Sequence, residues 1–285
     1  MTSLQYSDTA AAGYDEGVGC MTRLVAPTTL RMSRLSSGLQ VLDVAAGTGI
    51  ASETAATIVG PAGHVTAADI SPAMLEQARK RLSGLGNVTI TVEDGTKLTF
   101  PEAHFDRVIC NMGLMYFPDA ARGVSEFYRV LRPGGRAAAA VFGTAKLPFL
   151  SVVYFAIESV ASQEKGMGAK LHALGENDRL GKLFEVAGFV DVEIGDETLH
   201  LKYPSFEAYL SGVEKGAGAA GQAYMALPED QRLAVREDVR RRVGDKGGTL
   251  DVDVAIKFAS GRKGLAPAPN TATGVGASAP PGPGR

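Results

Sequence analysis

Tryptophan is absent from the 285 residues, and cysteine occurs only twice, at Cys20 and Cys110. Two cysteines are too few for a disulfide framework or a cysteine-rich zinc site, and no metal centre is expected. The chain also lacks a charge excess, since 29 Lys and Arg against 31 Asp and Glu leave a formal charge of −2. A nucleic-acid-binding domain is ordinarily basic, and an anionic membrane surface attracts basic clusters. Neither partner is expected here. No run of about 18 apolar residues is available to span a bilayer. The first ten residues, MTSLQYSDTA, carry no positive end ahead of an apolar stretch. No secretion signal is read there, and the expected compartment is the cytoplasm. What the chain does have is 45% hydrophobic residues, enough for a globular core.

Along the chain, Asp8 to Leu35 reads as one or two short helices with a break at Pro27. From Leu39 to Ala45 an apolar run, interrupted by Gln40 and Asp43, leads into Gly47-Thr48-Gly49. This is a buried strand feeding a glycine turn. Ile50 to Val59 follows as a helix and His64 to Ala68 as a strand ending at Asp69. Ser71-Pro72 opens the next helix, serine as cap and proline in the first turn. Asn87 to Glu93 and Asp106 to Asn111 read as strands. Val124, Phe127, Tyr128 and Leu131 form one face of a helix that Pro133-Gly134-Gly135 should end, before a strand from Arg136 to Phe142. Alternating strands and helices demand a mostly parallel sheet covered on both faces, a doubly wound α/β fold.

The organisation expected is a helical cap over 1–35, an α/β core over 36–145, and lid helices with two last strands over 146–263. The strands are Val190 to Ile194 and Leu250 to Ala259, and helices fill Pro204 to Val243. The tail, 264–285, is rich in Gly, Pro, Ala, Ser and Thr and is expected to be disordered.

The chemistry concentrates at the glycine turn. Backbone free of side chains at the carboxyl end of the first strand lets a ligand approach closely, and that crevice is where open α/β sheets bind ligands. Asp69, twenty residues after Gly49, can accept hydrogen bonds from both hydroxyls of a ribose. A dinucleotide fingerprint would place a small residue, usually glycine, where Ser52 stands. Asp43, just ahead of the turn, is unfavourable beside a pyrophosphate but suits a ligand with an ammonium and a sulfonium. S-adenosylmethionine carries both.

Four segments in order then resemble class I S-adenosylmethionine-dependent methyltransferases, in the style of the ubiquinone/menaquinone C-methyltransferases. They are Val41 to Gly49, Asp69-Ile70-Ser71 with Met74, Glu93-Asp94-Gly95, and Leu131 to Gly135. The resemblance implies seven strands in the order 3-2-1-4-5-7-6, the seventh antiparallel, and S-adenosylmethionine as cofactor. It assigns the cofactor contacts to Ala45, Gly47, Thr48, Gly49, Asp69, Ile70, Met74, Asp94, Gly95, Asn111 and Met112. The carboxylate of the Glu93-Asp94-Gly95 segment would take the adenine amino group. The backbone of Asn111-Met112 would face the methionine part. An aromatic in Gly13-Tyr14-Asp15 would close over the cofactor.

Plainer roles compete for these residues. Asp43 can cap the glycine turn, Asp69 a helix, and Asp94 and Asn111 can form turns. The methionines can be core, and Tyr6 and Tyr14 ordinary helix residues. His64, His104 and His200 read as structural or exposed, and His172 is the single histidine worth testing as a base. Arg232 to Arg242, interleaved with Glu237 and Asp238, reads as a solvated helix face.

The activity implied is methyl transfer to a small, hydrophobic or aromatic acceptor. Candidate lid residues are Phe149, Leu150, Val153, Tyr154, Phe155 and Ile157. No residue is assigned as catalytic. A protein that binds the cofactor without methyl transfer and a nicotinamide-dependent oxidoreductase stay open as alternatives.

Overall fold

A computed structural model describes residues 5–144, 151–161 and 166–265. The chain opens with α1 (Asp8–Ala12), capped by Ser7, then α2 (Tyr14–Gly17) and α3 (Gly19–Met32). Pro27 does not break α3 as expected but sits inside it. Its ring and Arg23, whose carbonyl loses a helical partner, both lie on the exposed face. That carbonyl is open to solvent, while Val25, Ala26, Thr29 and Leu30 stay buried on the other side.

Strands and helices then alternate as β1 (Gln40–Val44), α4 (Ile50–Val59), β2 (His64–Asp69), α5 (Pro72–Leu82), β3 (Val88–Val92), β4 (Phe105–Asn111) and α6 (Ala120–Val130). The Ser71 side chain caps α5 and Pro72 occupies its first turn, as the dipeptide predicts. α6 ends at Val130 rather than at the proline-glycine turn, because β5 (Leu131–Phe142) begins at once. Residues 132–135 are accommodated as an irregularity, since Phe105 pairs with Leu131 but Arg107 pairs with Arg136. Gly134, at φ +81°, permits this bulge and donates its N–H to the Lys263 carbonyl at 2.9 Å.

Next come α7 (Ser151–Val160), α8 (Met167–Ala173), α9 (Arg179–Val186) and β6 (Val190–Tyr203). The chain closes with α10 (Phe206–Glu214), α11 (Gly218–Met225), α12 (Glu229–Val243) and β7 (Leu250–Arg262). β6 runs nine residues beyond the expected Ile194, paired antiparallel with β7 as far as Tyr203 opposite Leu250. Gly195-Asp196-Glu197 has little strand preference of its own, and the ladder with β7 overrides it.

Among the described residues the strands form one sheet in the order β3-β2-β1-β4-β5-β7-β6, with β7 antiparallel, as expected. β1 is buried on both faces, as a central parallel strand must be. Val41, Val65 and Ile109 pack with Ala55, Ala56 and Val59 of α4 and Leu30 of α3. Leu42, Val44 and Val108 belong to the main core with Val124, Phe127 and Val130 of α6. Each such fully buried side chain stabilises the fold by about 1.5–3 kcal/mol relative to exposure.

The apolar stripe of α7 does not form an open lid wall. Val153, Tyr154 and Ile157 are buried in the core, and the Phe155 ring occupies the space a β-carbon on Gly168 would need. Phe149, Leu150 and residues 266–285 lie outside the described residues. On α12 the arginines from Arg236 onward are held by carboxylates. Arg236 and Arg240 pair with Glu207, and Arg242 Nε donates to Asp238 at 2.6 Å. Among the described residues no helix is long and apolar enough to cross a membrane.

Candidate functional site

β1 and β4 lie side by side, and the chain leaves them toward opposite edges of the sheet, which opens a crevice at their carboxyl ends. The crevice holds a cavity of about 870 Å³, the open solvent at its mouth included. Ten of the sequence-predicted residues line it: Ala45, Gly47, Thr48, Asp69, Ile70, Met74, Asp94, Gly95, Asn111 and Met112. Gly49 does not. It caps α4 at φ +83°, and a β-carbon there would lie 2.9 Å from Leu82 Cδ1, so its smallness serves helix packing behind the turn.

The turn is built by left-handed backbone. Ala45 (φ +57°), Gly47 (φ +57°) and Met112 (φ +63°) all adopt it, two of them with side chains. For Ala45 and Met112 this carries strain of about 1–3 kcal/mol each, which concentrates at binding sites, whereas Gly47 adopts it freely. The carboxylate of Asp69 secures the turn. Its Oδ2 accepts the Gly47 N–H at 2.9 Å and its Oδ1 the Ser71 N–H at 2.8 Å. Each carboxylate oxygen keeps further acceptor capacity for a ligand. Burial raises the pKa of Asp69, and its backbone donors oppose that shift.

Asp43 is completely buried and is held by Ser52 in the first turn of α4, directly after the glycine turn. Ser52 Oγ donates to its Oδ2 at 2.6 Å, while its Oδ1 has no hydrogen-bond partner among the described residues. Burial, helped by the charge of Asp69, pushes its pKa up to about 7. A buried carboxylate oxygen left without a donor at a cavity wall is costly and points to a ligand. Across the cavity, Asp94 Oδ1 accepts from the Thr96 N–H and hydroxyl at 2.8 and 2.7 Å, a turn that aims the segment at the crevice. Glu93 is held by Thr99. Among the described residues the lining thus carries Asp43, Asp69, Glu93 and Asp94 but no Lys, Arg or His. That potential suits a cationic ligand and opposes a pyrophosphate.

Asn111 turns its side chain away from the site. Its Oδ1 accepts from Thr29 Oγ1 at 2.8 Å and its Nδ2 donates to the Thr22 carbonyl at 3.0 Å, which binds β4 to α3. Met115 is core and does not line the cavity.

The far wall is aromatic. Tyr6 and Tyr14, in edge-to-face contact with centroids 6.1 Å apart, line it with Tyr116, Phe117 and Pro118. Burial raises the phenol pKa of Tyr6 and Tyr14, and that of Tyr116 to about 12, so all three are neutral hydroxyls. Sequence reasoning missed Tyr116, Phe117, Pro118, Thr22 and Ile50. The signal for the first three was their place in the loop directly after β4, at the crevice end.

None of the histidines reaches the site. His172 lies buried in α8, with Nδ1 2.6 Å from the Gly143 carbonyl and Nε2 2.6 Å from Ser151 Oγ. The carbonyl can only accept, so Nδ1 carries the proton and Nε2 accepts from the serine, which fixes the neutral tautomer. His64 bonds Thr89, and His104 packs on Phe105. His200 lies within β6 rather than at its end, paired with Asp253.

A methyltransferase domain model matches residues 41–135. Demethylmenaquinone methyltransferase of Clavibacter sepedonicus is 33% identical over 184 residues, which cover 60% of this chain and 71% of that protein. The ubiquinone/menaquinone biosynthesis C-methyltransferase UbiE of Ectopseudomonas mendocina (strain ymp) is 40% identical over 139 residues, 48% of this chain and 54% of that one. The chain thus spans about half the length of this second relative. Phosphoethanolamine N-methyltransferase 2 of Haemonchus contortus, solved with phosphomonomethylethanolamine and S-adenosylhomocysteine, superposes with a TM-score of 0.59 at 18% identity. That match covers 91% of this chain and 59% of the nematode enzyme, and it shows the shared fold. With the strand order, the switch-point cavity and the Clavibacter match in agreement, the chain belongs to the class I S-adenosylmethionine-dependent methyltransferases, in the ubiquinone/menaquinone C-methyltransferase-like group.

Proposed function

We propose that this chain transfers a methyl group from S-adenosylmethionine to a small aromatic acceptor, of the reduced-quinone type that the names of its relatives suggest. The observation that carries the reading is that, among the described residues, Asp43 Oδ1 has no partner and the cavity lining has four carboxylates and no cation. The cofactor, when bound, supplies a methyl already activated by its sulfonium.

In this reading Asp69 accepts from the ribose hydroxyls while still holding Gly47. Ile70 and Met74 wall the adenine, and Asp94 with Gly95 meets its amino edge. Ala45, Gly47, Thr48 and the backbone at Asn111-Met112 face the methionine portion, whose ammonium Asp43 balances directly or through a water. Tyr6, Tyr14, Tyr116, Phe117 and Pro118 then form the acceptor chamber, apolar in body with neutral hydroxyls. Their work is to align the nucleophile behind the methyl and to exclude water. Among the described residues the lining has no histidine, and its carboxylates serve the cofactor and the turns that hold it, so no residue is assigned as the base for an acceptor that loses a proton.

The test pairs calorimetric binding of S-adenosylhomocysteine with methyl transfer to a panel of naphthoquinols, phenols and alkylamines. Binding with turnover on the quinols supports the reading. Turnover confined to the amines removes the acceptor class, and binding of reduced nicotinamide in place of S-adenosylhomocysteine removes the whole proposal.

A further inference from the structure

The segment from Gln5 through α2 contributes Tyr6 and Tyr14 to the cavity wall, yet its short helices bury few side chains of their own. α1 has five residues and buries only Ala10 and Ala11, and α2 has four and buries none. Segments with so few buried contacts open at low cost. Gly13 and Gly17 rest against Ala217 and Gly212, and polar groups tie this strap at its two ends. At one end Gln222 of α11 accepts the Ser7 N–H at 2.7 Å and donates to the Gln5 carbonyl at 3.1 Å. At the other, Asp15 reaches the glycine turn.

Asp15 Oδ1 accepts from Thr48 Oγ1 at 2.7 Å, and its Oδ2 pairs with the Arg81 guanidinium. Arg81 in turn donates from Nε to the Thr48 carbonyl at 2.8 Å and pairs with Glu53 at 3.2 Å. One carboxylate and one guanidinium therefore clamp the strap, the turn and α5 together. The Arg81 side chain is only 15% exposed, so solvent screens this pair less than an ordinary surface pair.

We infer that Asp15 and Arg81 are a positioning pair, a latch whose opening lets the strap swing and admits or releases the cofactor. The inference rests on the function proposed above. Neither residue lines the cavity. The pair acts through Thr48 and through the two tyrosines the strap carries. A latch of this kind governs exchange rates in both directions, because the same opening serves entry and exit.

The full chain has no tryptophan, so tyrosine fluorescence at the cavity wall reports binding in stopped flow. The probe is S-adenosylhomocysteine. For Asp15→Ala, association and dissociation should both accelerate by about fivefold, with Kd changed by less than about twofold, while Asp15→Glu restores the slow rates. A purely structural role would raise dissociation and leave association unchanged, and that result overturns the latch. Unchanged rates in both directions overturn it as well. A second measurement needs no ligand: amide hydrogens of residues 5–17 should exchange faster in Asp15→Ala than in the wild type, with those of β1 unaltered. Equal exchange in the strap defeats the inference. A wild-type chain that binds no S-adenosylhomocysteine brings down the proposed function and the latch together. Normal wild-type binding with a silent Asp15→Ala brings down the latch alone.

Discussion

Gly113 stands so close to Ala45 that a β-carbon on it would lie 2.4 Å from the β-carbon of Ala45. Ala45 follows β1 and Met112 follows β4, both with positive φ, so two strained strand ends meet at the floor of the cavity. Gly113→Ala should push these ends apart. The expected cost is about 1–3 kcal/mol of stability, together with weaker binding of S-adenosylhomocysteine. Chemical denaturation and calorimetry measure the two effects, and an unchanged stability would contradict the contact.

Asp69→Ala removes two backbone acceptor bonds as well as the proposed ribose contact. We expect a loss of about 1–3 kcal/mol in S-adenosylhomocysteine affinity and a further loss in stability of the unliganded chain. Asp69→Asn keeps one acceptor oxygen and should fall between. Full affinity in Asp69→Ala, read by calorimetry, excludes this residue from the cofactor contacts.

Asp43 makes stability depend on pH. Its folded pKa of about 7 stands above the ordinary 3.8, so the folded chain holds a proton that the unfolded chain has released. The contribution is whole below about pH 4, falls by up to ~1.4 kcal/mol per pH unit as pH rises, and is gone above about pH 7. Asp43→Asn should flatten this part of the profile in thermal or denaturant unfolding. Under the proposed function, the cofactor's cationic end favours the ionised form. Binding near neutral pH should then release a proton, detectable by calorimetry in buffers of different ionisation enthalpy.

His172→Ala should lower stability by about 1–3 kcal/mol, because the Gly143 carbonyl and the Ser151 hydroxyl both lose a buried partner. Affinity for S-adenosylhomocysteine should stay at the wild-type value, since His172 does not line the cavity. A loss of methyl transfer at unchanged stability would return this residue to the role of a base.

How much of the site was legible varies residue by residue. The chemistry at Gly47 and Asp69 could be read because a strand, a turn and the next strand end lie within 30 residues, each with strong local signals. Asp43 was visible as a charge out of place in an apolar strand, but its partner Ser52 was read only as a missing glycine. Asn111 is marked by the resemblance for its backbone at the crevice, and no local pattern shows that its side chain joins β4 to α3. Tyr116 and Phe117 carry no periodic signal; their place directly after β4 is the one local mark, and it does not say which side chains turn inward.

The chain's own order of apolar runs, glycines and helix caps determined the doubly wound core, because βαβ units are set by short-range pattern and by chirality. The tertiary structure alone decided the rest. Pro27 could stay inside α3 because one side of that helix meets water, and β6 could run to Tyr203 because β7 offered a ladder to pair with. Gly49 went to helix packing because Leu82 stands behind it. The cavity closed only when Tyr6, Tyr14 and Tyr116, more than 100 residues apart at the extremes, came together. Contacts at that separation depend on how whole elements dock, and no local window of residues contains that information.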